Sequence, residues 1–558
     1  MDRLSLPNES LKQHYEIAVI GSGYGGGIAA SRLARAGRQV VVFERGREIQ
    51  SGDYPNHPTS FLKEVQAEVR GVHVGSSTAL FDFRFDEDMN VIVGCGLGGT
   101  SLINANISLV PEPRVFEDPA WPEAIREDAR RGALDPYFRY AQNMLGAAPF
   151  PDQMPETLKM KAFTRAARGL GLQVTRPDIN VTFQAGPNAA GIQQNACVGC
   201  GDCVSGCNYN AKNTVLMNYL PDAKRNGAEI YTCMHVRSIA ATDQGWNLLF
   251  DESSSVTADT VILAAGTLGS TEVLLRSAAN GLPLSSALGT RFSGNGDMIG
   301  FTFNAEEPIS GIGLGSRSIS GRDPVGPCSA VSVDLRNQPD LDEGKIMVDS
   351  VVPGAFGPFL SEVLAAGLAL TGSRVRRGAL GSLKAKFREL RSVVLGPYTG
   401  AVHNTLNYLV VAHDDSGGRM YLDNDKLRIS WLGAGKTEII SQASDLIHRA
   451  SDALAGDFVP DPVWNRFTDQ QLITGHPLGG CVMGESAENA VVNHLGQVFS
   501  GTSGSNIHKG LYVMDGAVVP RSLGVNPLLT ISALAERNCA LLATERGWSI
   551  PYGPSAPS

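Results

Sequence analysis

Four cysteines, Cys197, Cys200, Cys203 and Cys207, stand in the run NACVGCGDCVSGCNYNAK with the spacing C-x2-C-x2-C-x3-C. Thiolates so crowded on a Gly-rich loop can surround an iron–sulfur cluster, and the spacing matches the bacterial ferredoxin run. Asn208 replaces the Pro that usually follows, and no second set of cysteines is present. Structural zinc accepts four thiolates as well, and a plain loop of reduced or disulfide-linked thiols is the third reading. A second constellation lies in YEIAVIGSGYGGGIAASRLARAGRQVVVFERG, where Gly21, Gly23 and Gly26 fit G-x-G-x-x-G and Glu44 follows 23 residues after Gly21. The first glycine permits a tight turn, the second lets backbone N–H groups approach a pyrophosphate, and the third lets helix and strand pack closely. Glu44 is placed to accept hydrogen bonds from a ribose diol. A third candidate is His476 in ITGHPLGGCVMG. Imidazole is the side chain best suited to share a hydroxyl proton near neutral pH, although a lone His among ten reads first as a buried structural residue.

The elements that must position these residues are legible around them. Ile17–Ile20 and Val40–Phe43 are short apolar strands flanking a helix that carries Ile28, Leu33 and Ala36 on its apolar side. The helix N-terminus adds partial positive charge for phosphates. A second Gly-rich turn follows in VIVGCGLGGTSLINANISLV, with Gly94, Gly96, Gly98 and Gly99 before Thr100 and Ser101. VRSIAATDQGWNLLFDESSSVTADTVILAAG reads as alternating strands feeding a buried strand that ends near Ala265. HNTLNYLVVAHDDSGGRMYLDNDKLRISWL reads as three strands broken by DDSGG and DNDK turns. LYVMDGAVVPRSLGVNPLLTISAL places Asp515–Gly516 after a strand and Asn526–Pro527 at the start of an apolar helix. No repeat at solenoid or propeller spacing occurs.

Composition bounds the alternatives. A chain of 558 residues with 43% apolar and 18% charged residues, 63 Gly and 30 Pro, is a globular enzyme of two or three domains. Its net charge of −9 excludes the electrostatic footprint of a nucleic-acid binder. The stretch GAFGPFLSEVLAAGLALTG carries Glu362 and falls short of a bilayer span, so no transmembrane segment is expected. It reads as a buried or substrate-covering helix, with a membrane-surface role as the alternative. The N-terminus shows no export signal, and nine cysteines do not suggest a secreted disulfide framework, so the cytoplasm is the expected compartment. Cys95, Cys233, Cys328, Cys481 and Cys539 are expected to be ordinary buried residues. The nucleotide fingerprint alone is equally compatible with an NAD-dependent dehydrogenase, and the cysteine run alone with a non-enzymatic electron carrier.

Taken in order, G-x-G-x-x-G, GCGLGGTSLINA, LAAGTLGS, HPLGG, MDGAVVP and GVNPLLTISALAER resemble the glucose–methanol–choline (GMC) oxidoreductases, and most of all the branch containing cholesterol oxidase. The similar segments run from Ile17 to Arg537. The resemblance implies an α/β (α+β) fold: a discontinuous Rossmann-like FAD-binding domain, assigned to 10–110, 212–300 and 470–545, and a substrate domain with an antiparallel sheet in 111–211 and 301–469. It implies FAD-dependent oxidation of an alcohol by hydride transfer to flavin, with oxygen or another external acceptor. Steroid, sugar or aminocyclitol, and terpenoid or long-chain alcohols are the candidate substrates. Carried over by motif, Gly21, Gly23, Gly26, Glu44 and Arg45 hold the ADP half. Gly94, Gly98, Thr100, Ser101 and Asn104 lie along the flavin, Val236 contacts adenine, and Ala265, Asp515, Gly516 and Pro527 complete the cofactor site. No His occurs in 101–110, so the FAD is expected to be non-covalent. His476 and Asn526 are implied to face the substrate hydroxyl, and Gly479–Gly480 are expected to let the backbone approach a flat ring. Cholesterol oxidases carry a carboxylate opposite the His; here YTGAVHNT offers His403 and Asn404 instead, which makes His403 a further active-site candidate. Some dehydrogenases of the family hold an iron–sulfur cluster at the position of the cysteine run.

Overall fold

In the computed structural model, which describes residues 2–69, 71–250, 254–371 and 373–553, the strand His14–Ile20 lies at the centre of the largest sheet. Five of that sheet's strands are parallel, in the order Glu229–Tyr231, Val40–Phe43, His14–Ile20, Ser255–Leu263 and Ile507–Val513. Their apolar runs are buried because helices cover both faces, as a parallel sheet requires. Tyr24–Arg35, Tyr219–Arg225 and Leu528–Glu545 do most of the covering. The strands Ser238–Thr242 and Gly245–Leu249 run as an antiparallel hairpin into the first half of Ser255–Leu263. That is the alternation expected from VRSIAATDQGWNLLF; residues 251–253 of the next turn lie outside the described residues.

The turn from His14–Ile20 into Tyr24–Arg35 is held by the absence of side chains. Gly21 has φ +94°, and a Cβ there would stand 2.4 Å from the Ala264 carbonyl oxygen. A Cβ on Gly26 would stand 2.1 Å from the Gly21 carbonyl oxygen, and one on Gly25 only 1.5 Å from that of Met514. The helix can therefore lie on the strand ends, and on the segment that follows Ile507–Val513, only with hydrogen at these positions.

A second sheet is antiparallel, in the order Ser332–Leu335, Lys345–Ser350, Leu406–Ala412, Met298–Phe303 and Asp457–Pro460. One face carries Met298, Met347, Tyr408 and Val410 and is covered by the helices Leu158–Gly169 and Glu438–Ala453. On the other face Ile346, Val348 and Val411 pack on Ile107, Ile179 and Val181, while Phe301 and Phe303 pack on Leu360, Leu364 and Leu368 of the helix Gly357–Thr371. That helix is the apolar stretch of 354–372, whose last residue lies outside the described residues. Among the described residues no helix is long and apolar enough to cross a membrane.

Of the three strands expected in 403–432, Leu406–Ala412 joins the antiparallel sheet, whereas Arg419–Asp423 and Lys426–Ser430 form a separate hairpin. A third sheet, Leu472–Thr474, Met89–Gly94, Phe81–Phe85, Val65–Val69 and Val72–Val74, brings the segment before His476 beside the segment before the second Gly-rich turn.

Gly25→Ala is expected to lower stability by about 3 kcal/mol, because its Cβ meets rigid backbone rather than a side-chain end. Urea unfolding of the soluble fraction checks this.

Candidate active site and cofactor cavity

A cavity of about 570 Å³ runs from Glu44 and Val236 at one end to His476 and Asn526 at the other. The N-terminus of the helix Tyr24–Arg35 opens onto it with no side-chain cap, so its first N–H groups have no partner within the helix. A Cβ on Gly23 would find nothing within 4 Å, in contrast to Gly21 and Gly26. The backbone at Gly23 is thus bare on the cavity side, as a bound pyrophosphate demands. Glu44 is buried and accepts from Ser22 N (3.1 Å), Ser22 Oγ (2.5 Å) and Gly46 N (2.7 Å). Burial nevertheless pushes its carboxyl pKa up. Arg45 also lines the cavity and is anchored on Asp82 at 2.6 Å. Met234, His235 and Val236 form the wall beside them.

Further along, Gly94, Thr100, Asn104, Ala265, Asp515, Gly516 and Pro527 reach the cavity. Gly26, Gly98 and Ser101 are not on its wall. Ser101 instead donates to Gly98 O (2.6 Å) and accepts from Val215 N (3.1 Å), bracing the second turn from behind. Asp515 ties two distant segments together, accepting from Gly266 N (2.9 Å), Ser270 Oγ (2.5 Å) and Ala517 N (2.8 Å). Burial pushes its pKa up to about 6. Asn104 Oδ1, Asn106 Nδ2 and Asn526 Oδ1 are buried on this wall without a hydrogen-bond partner. A ligand lying along this wall would complete all three, so the residues present fit a polar, elongated cofactor such as FAD.

At the far end the strand Leu472–Thr474 delivers Gly475 and His476 to the cavity. His476 Nδ1 lies 2.7 Å from Asp297 Oδ1, and Asn526 Nδ2 lies 3.1 Å from His476 Nε2. With the Asn526 amide donating to Nε2, that nitrogen is the acceptor and the ring proton sits on Nδ1, where it is donated to Asp297. Asp297 Oδ2 is held in turn by Gly475 N (3.2 Å) and lies 2.8 Å from Thr474 Oγ1. The ring is oriented from behind while Nε2 faces the cavity, an arrangement suited to taking a hydroxyl proton. Asp297, in SGNGDM, is the candidate site residue that sequence reasoning missed. Its only local signal is a carboxylate among turn glycines, and its partner is 179 residues away.

Several expectations are corrected. His403 ends the short helix Gly400–His403, is absent from the cavity wall, and presents its carbonyl to Ile309 N and Ser310 N. Asn404 is committed to the Ala305 carbonyl at 2.8 Å. Gly479 and Gly480 are also off the wall: a Cβ on Gly479 would meet the Arg291 carbonyl oxygen at 1.9 Å, and one on Gly480 would meet Met420 Cε at 2.2 Å. They allow protein segments, rather than a flat ring, to close in. The cysteine run is not gathered as a metal site. Among the described residues no group of three or more His, Cys, Asp or Glu side chains is arranged to hold a metal, and neither iron–sulfur nor zinc fits the thiols as they stand. Cys203 packs with Cys328, whose N–H reaches its Sγ at 3.4 Å, and Cys197 Sγ accepts from Gly199 N. Burial pushes the Cys197 thiol up to about 11 and holds Cys200 and Cys203 protonated. The loop is bound to the second Gly-rich turn by Lys212, a fully buried ammonium that donates to Leu102 O, Asn104 O and Cys203 O, each at 2.9 Å. Cys233 is exposed, whereas Cys95, Cys328, Cys481 and Cys539 are buried.

Two family models, both described as GMC oxidoreductase, match residues 24–293 and 415–535. A cholesterol oxidase of Mycobacterium tuberculosis is 27% identical, covering 95% of this chain and 91% of that one. A cholesterol oxidase of Acinetobacter baumannii is 25% identical over 94% and 93% of the two chains. A long-chain-alcohol oxidase of Arabidopsis thaliana is 24% identical over 93% of this chain and 66% of its own length. Among solved structures, a fungal aryl-alcohol oxidase superposes with a TM-score of 0.60 at 13% identity, covering 96% of this chain and 100% of that one. Pyridoxine 4-oxidase from Mesorbium loti gives 0.55 at 17%, over 95% and 99%; at such identities these likenesses speak to fold alone. Glycine-bared helix N-terminus, continuous cavity and matched sequence agree: the chain belongs to the GMC oxidoreductase family, enzymes that bind FAD and act on alcohols.

Proposed function

We propose that the chain oxidises an apolar alcohol, with His476 as the base for the hydroxyl proton and Asn526 as the donor that holds the same oxygen. The observation that carries this reading is the His476 Nε2–Asn526 amide pair at the cavity end, backed by Asp297 at 2.7 Å. FAD, bound non-covalently along the cavity, supplies the two-electron acceptor. The alcohol loses its O–H proton to Nε2 and its carbinol hydrogen with the electron pair, leaving an aldehyde or ketone. Asp297 is a positioning residue: its carboxylate keeps the proton on Nδ1 and stabilises the imidazolium once Nε2 is protonated. On alcohol binding the Asn526 Nδ2 bond passes from His476 Nε2 to the substrate oxygen, which opens the Nε2 lone pair to the hydroxyl proton.

An apolar substrate is supported by Ile107 and Ile531 on the cavity wall and by the apolar cluster of Ile107, Ile179, Ile346 and Val348 behind it. Sterol and long-chain alcohol are the substrates in the relatives' names. Those relatives are oxidases, which favours molecular oxygen as the final acceptor, with peroxide as its product. The FAD-binding half is assembled from 10–110, 212–300 and 470–545, and the antiparallel sheet with its helices closes over the substrate. A reducing compartment, the cytoplasm, accords with cysteines that are all free.

Gly23→Ala is expected to leave the apoprotein as stable as wild type while weakening FAD about tenfold, read by flavin fluorescence titration. His476→Ala should slow anaerobic flavin bleaching by an alcohol by roughly 10²–10⁴-fold at full flavin loading. Stopped-flow absorbance measures it, and unchanged bleaching would return His476 to a structural role. Asp297→Asn should lower kcat by roughly 10–100-fold with little change in KM. Asp297→Glu, which keeps a carboxylate behind the ring, should recover part of the lost kcat. A fall in kcat that the glutamate variant does not relieve would make Asp297 merely structural.

A further inference from the structure

The helix Ala379–Leu395 is built inside out. Its inner side carries the small buried residues Ala385 and Ser392. It is held to the protein by polar bonds: Arg388 Nε to Asn304 Oδ1 at 2.7 Å, Asn304 Nδ2 to Ala385 O at 3.1 Å, and Ser392 Oγ to Thr399 O at 2.6 Å. Its large apolar side chains point the other way. Leu380, Leu383, Phe387, Leu390 and Val394 are each 59–68% exposed. At 3.6 residues per turn these five fall within an arc of about 80°. Solvent-facing apolar residues on globular proteins are ordinarily scattered singly, and a continuous stripe marks a surface that something covers.

Charge identifies what covers it. On the same helical count, Lys384 and Arg391 flank the stripe on one side and Lys386 on the other, all three exposed. Exposed Arg376 precedes the helix, and the one acidic residue of the helix, Glu389, is turned partly inward against Arg374. This basic border belongs to a chain whose net charge is −9. A second copy of the chain seated on the stripe would bring like charges together, whereas an anionic lipid surface complements both the stripe and its border. Lys and Arg stems reach past an immersed apolar face to the headgroups. The neighbouring helix Gly357–Thr371 exposes Phe359 and Leu370 as well, and among the described residues neither helix is a spanning segment.

We infer that Ala379–Leu395 docks the protein on an anionic lipid surface, lying in the plane of the interface with Leu383, Phe387 and Leu390 immersed and Lys384, Lys386 and Arg391 at the headgroups. The inference stands apart from the alcohol-oxidation reading, since nothing in it depends on His476.

Co-sedimentation of the full-length, flavin-loaded protein with vesicles tests it, using phosphatidylcholine alone and phosphatidylcholine mixed with phosphatidylglycerol. Binding is expected to the mixed vesicles, at least about tenfold tighter than to phosphatidylcholine alone and weakened by salt. The combined variant Leu383→Ser, Phe387→Ser, Leu390→Ser should lose binding to both vesicles while keeping its flavin content, thermal midpoint and turnover of a water-soluble alcohol. Lys384→Gln, Lys386→Gln, Arg391→Gln should erase the preference for phosphatidylglycerol. Failure of wild type to bind the mixed vesicles would overturn the inference, as would undiminished binding by the apolar variant. So would a solution dimer that the same apolar substitutions split into monomers, since a second copy would then be the occupant.

Discussion

The molecule depends on a crossing where backbone meets backbone. The helix Tyr24–Arg35 sits on Ala264 and Met514 so closely that a methyl group at Gly21, Gly25 or Gly26 would overlap a carbonyl. Those contacts join the N-terminal strand, the strand ending at Leu263 and the segment after Val513, three pieces of chain hundreds of residues apart. The free N–H groups of the helix come to face the cavity as a result. Gly23 differs from its neighbours because a Cβ there would meet nothing, so packing demands glycine at Gly21, Gly25 and Gly26 but not at Gly23.

The His476 end of the cavity is set by a second long-range closure. Thr474, Gly475 and His476 arrive from a strand paired with Met89–Gly94, while Asp297 comes from the loop preceding the antiparallel sheet. The carboxylate accepts from Gly475 N and from the His476 ring, so the imidazole is fixed through both its backbone and its side chain. A hydrogen-bonded carboxylate behind an imidazole stabilises the protonated ring most at the moment it takes a proton. Asn526, just before the buried helix Leu528–Glu545, closes the pair from the opposite side, its amide 3.1 Å from Nε2.

Lys212 offers a contrasting solution to burial. Its ammonium is surrounded by three carbonyl oxygens rather than a carboxylate, and burial lowers its pKa to about 8. Three charge-assisted bonds replace the lost water and bind the cysteine loop to the turn that carries Asn104. Among the described residues its thiols form no group arranged to hold a metal, and the Lys212 bonds make the loop a brace for the cavity wall.

Local patterns alone determined much of this protein. The glycine fingerprint, the strands Val40–Phe43 and Ser255–Leu263 and the apolar helix after Asn526 follow from turn chemistry and hydrophobic period, which are short-range properties. His476 and Asn526 stand out as candidates through motif order, because both sit in distinctive turns, and the fold brings them to 3.1 Å from each other. Tertiary structure alone decided the rest. That Asp297 stands behind His476, that His403 lies off the cavity wall, that Gly479 and Gly480 pack on protein, and that four regularly spaced cysteines stay ungathered all depend on where distant backbone segments meet. The outward stripe of Ala379–Leu395 belongs to the same class. Its helical period is plain in the sequence, but period cannot tell which face a helix turns to the core, and here the small residues took the inside.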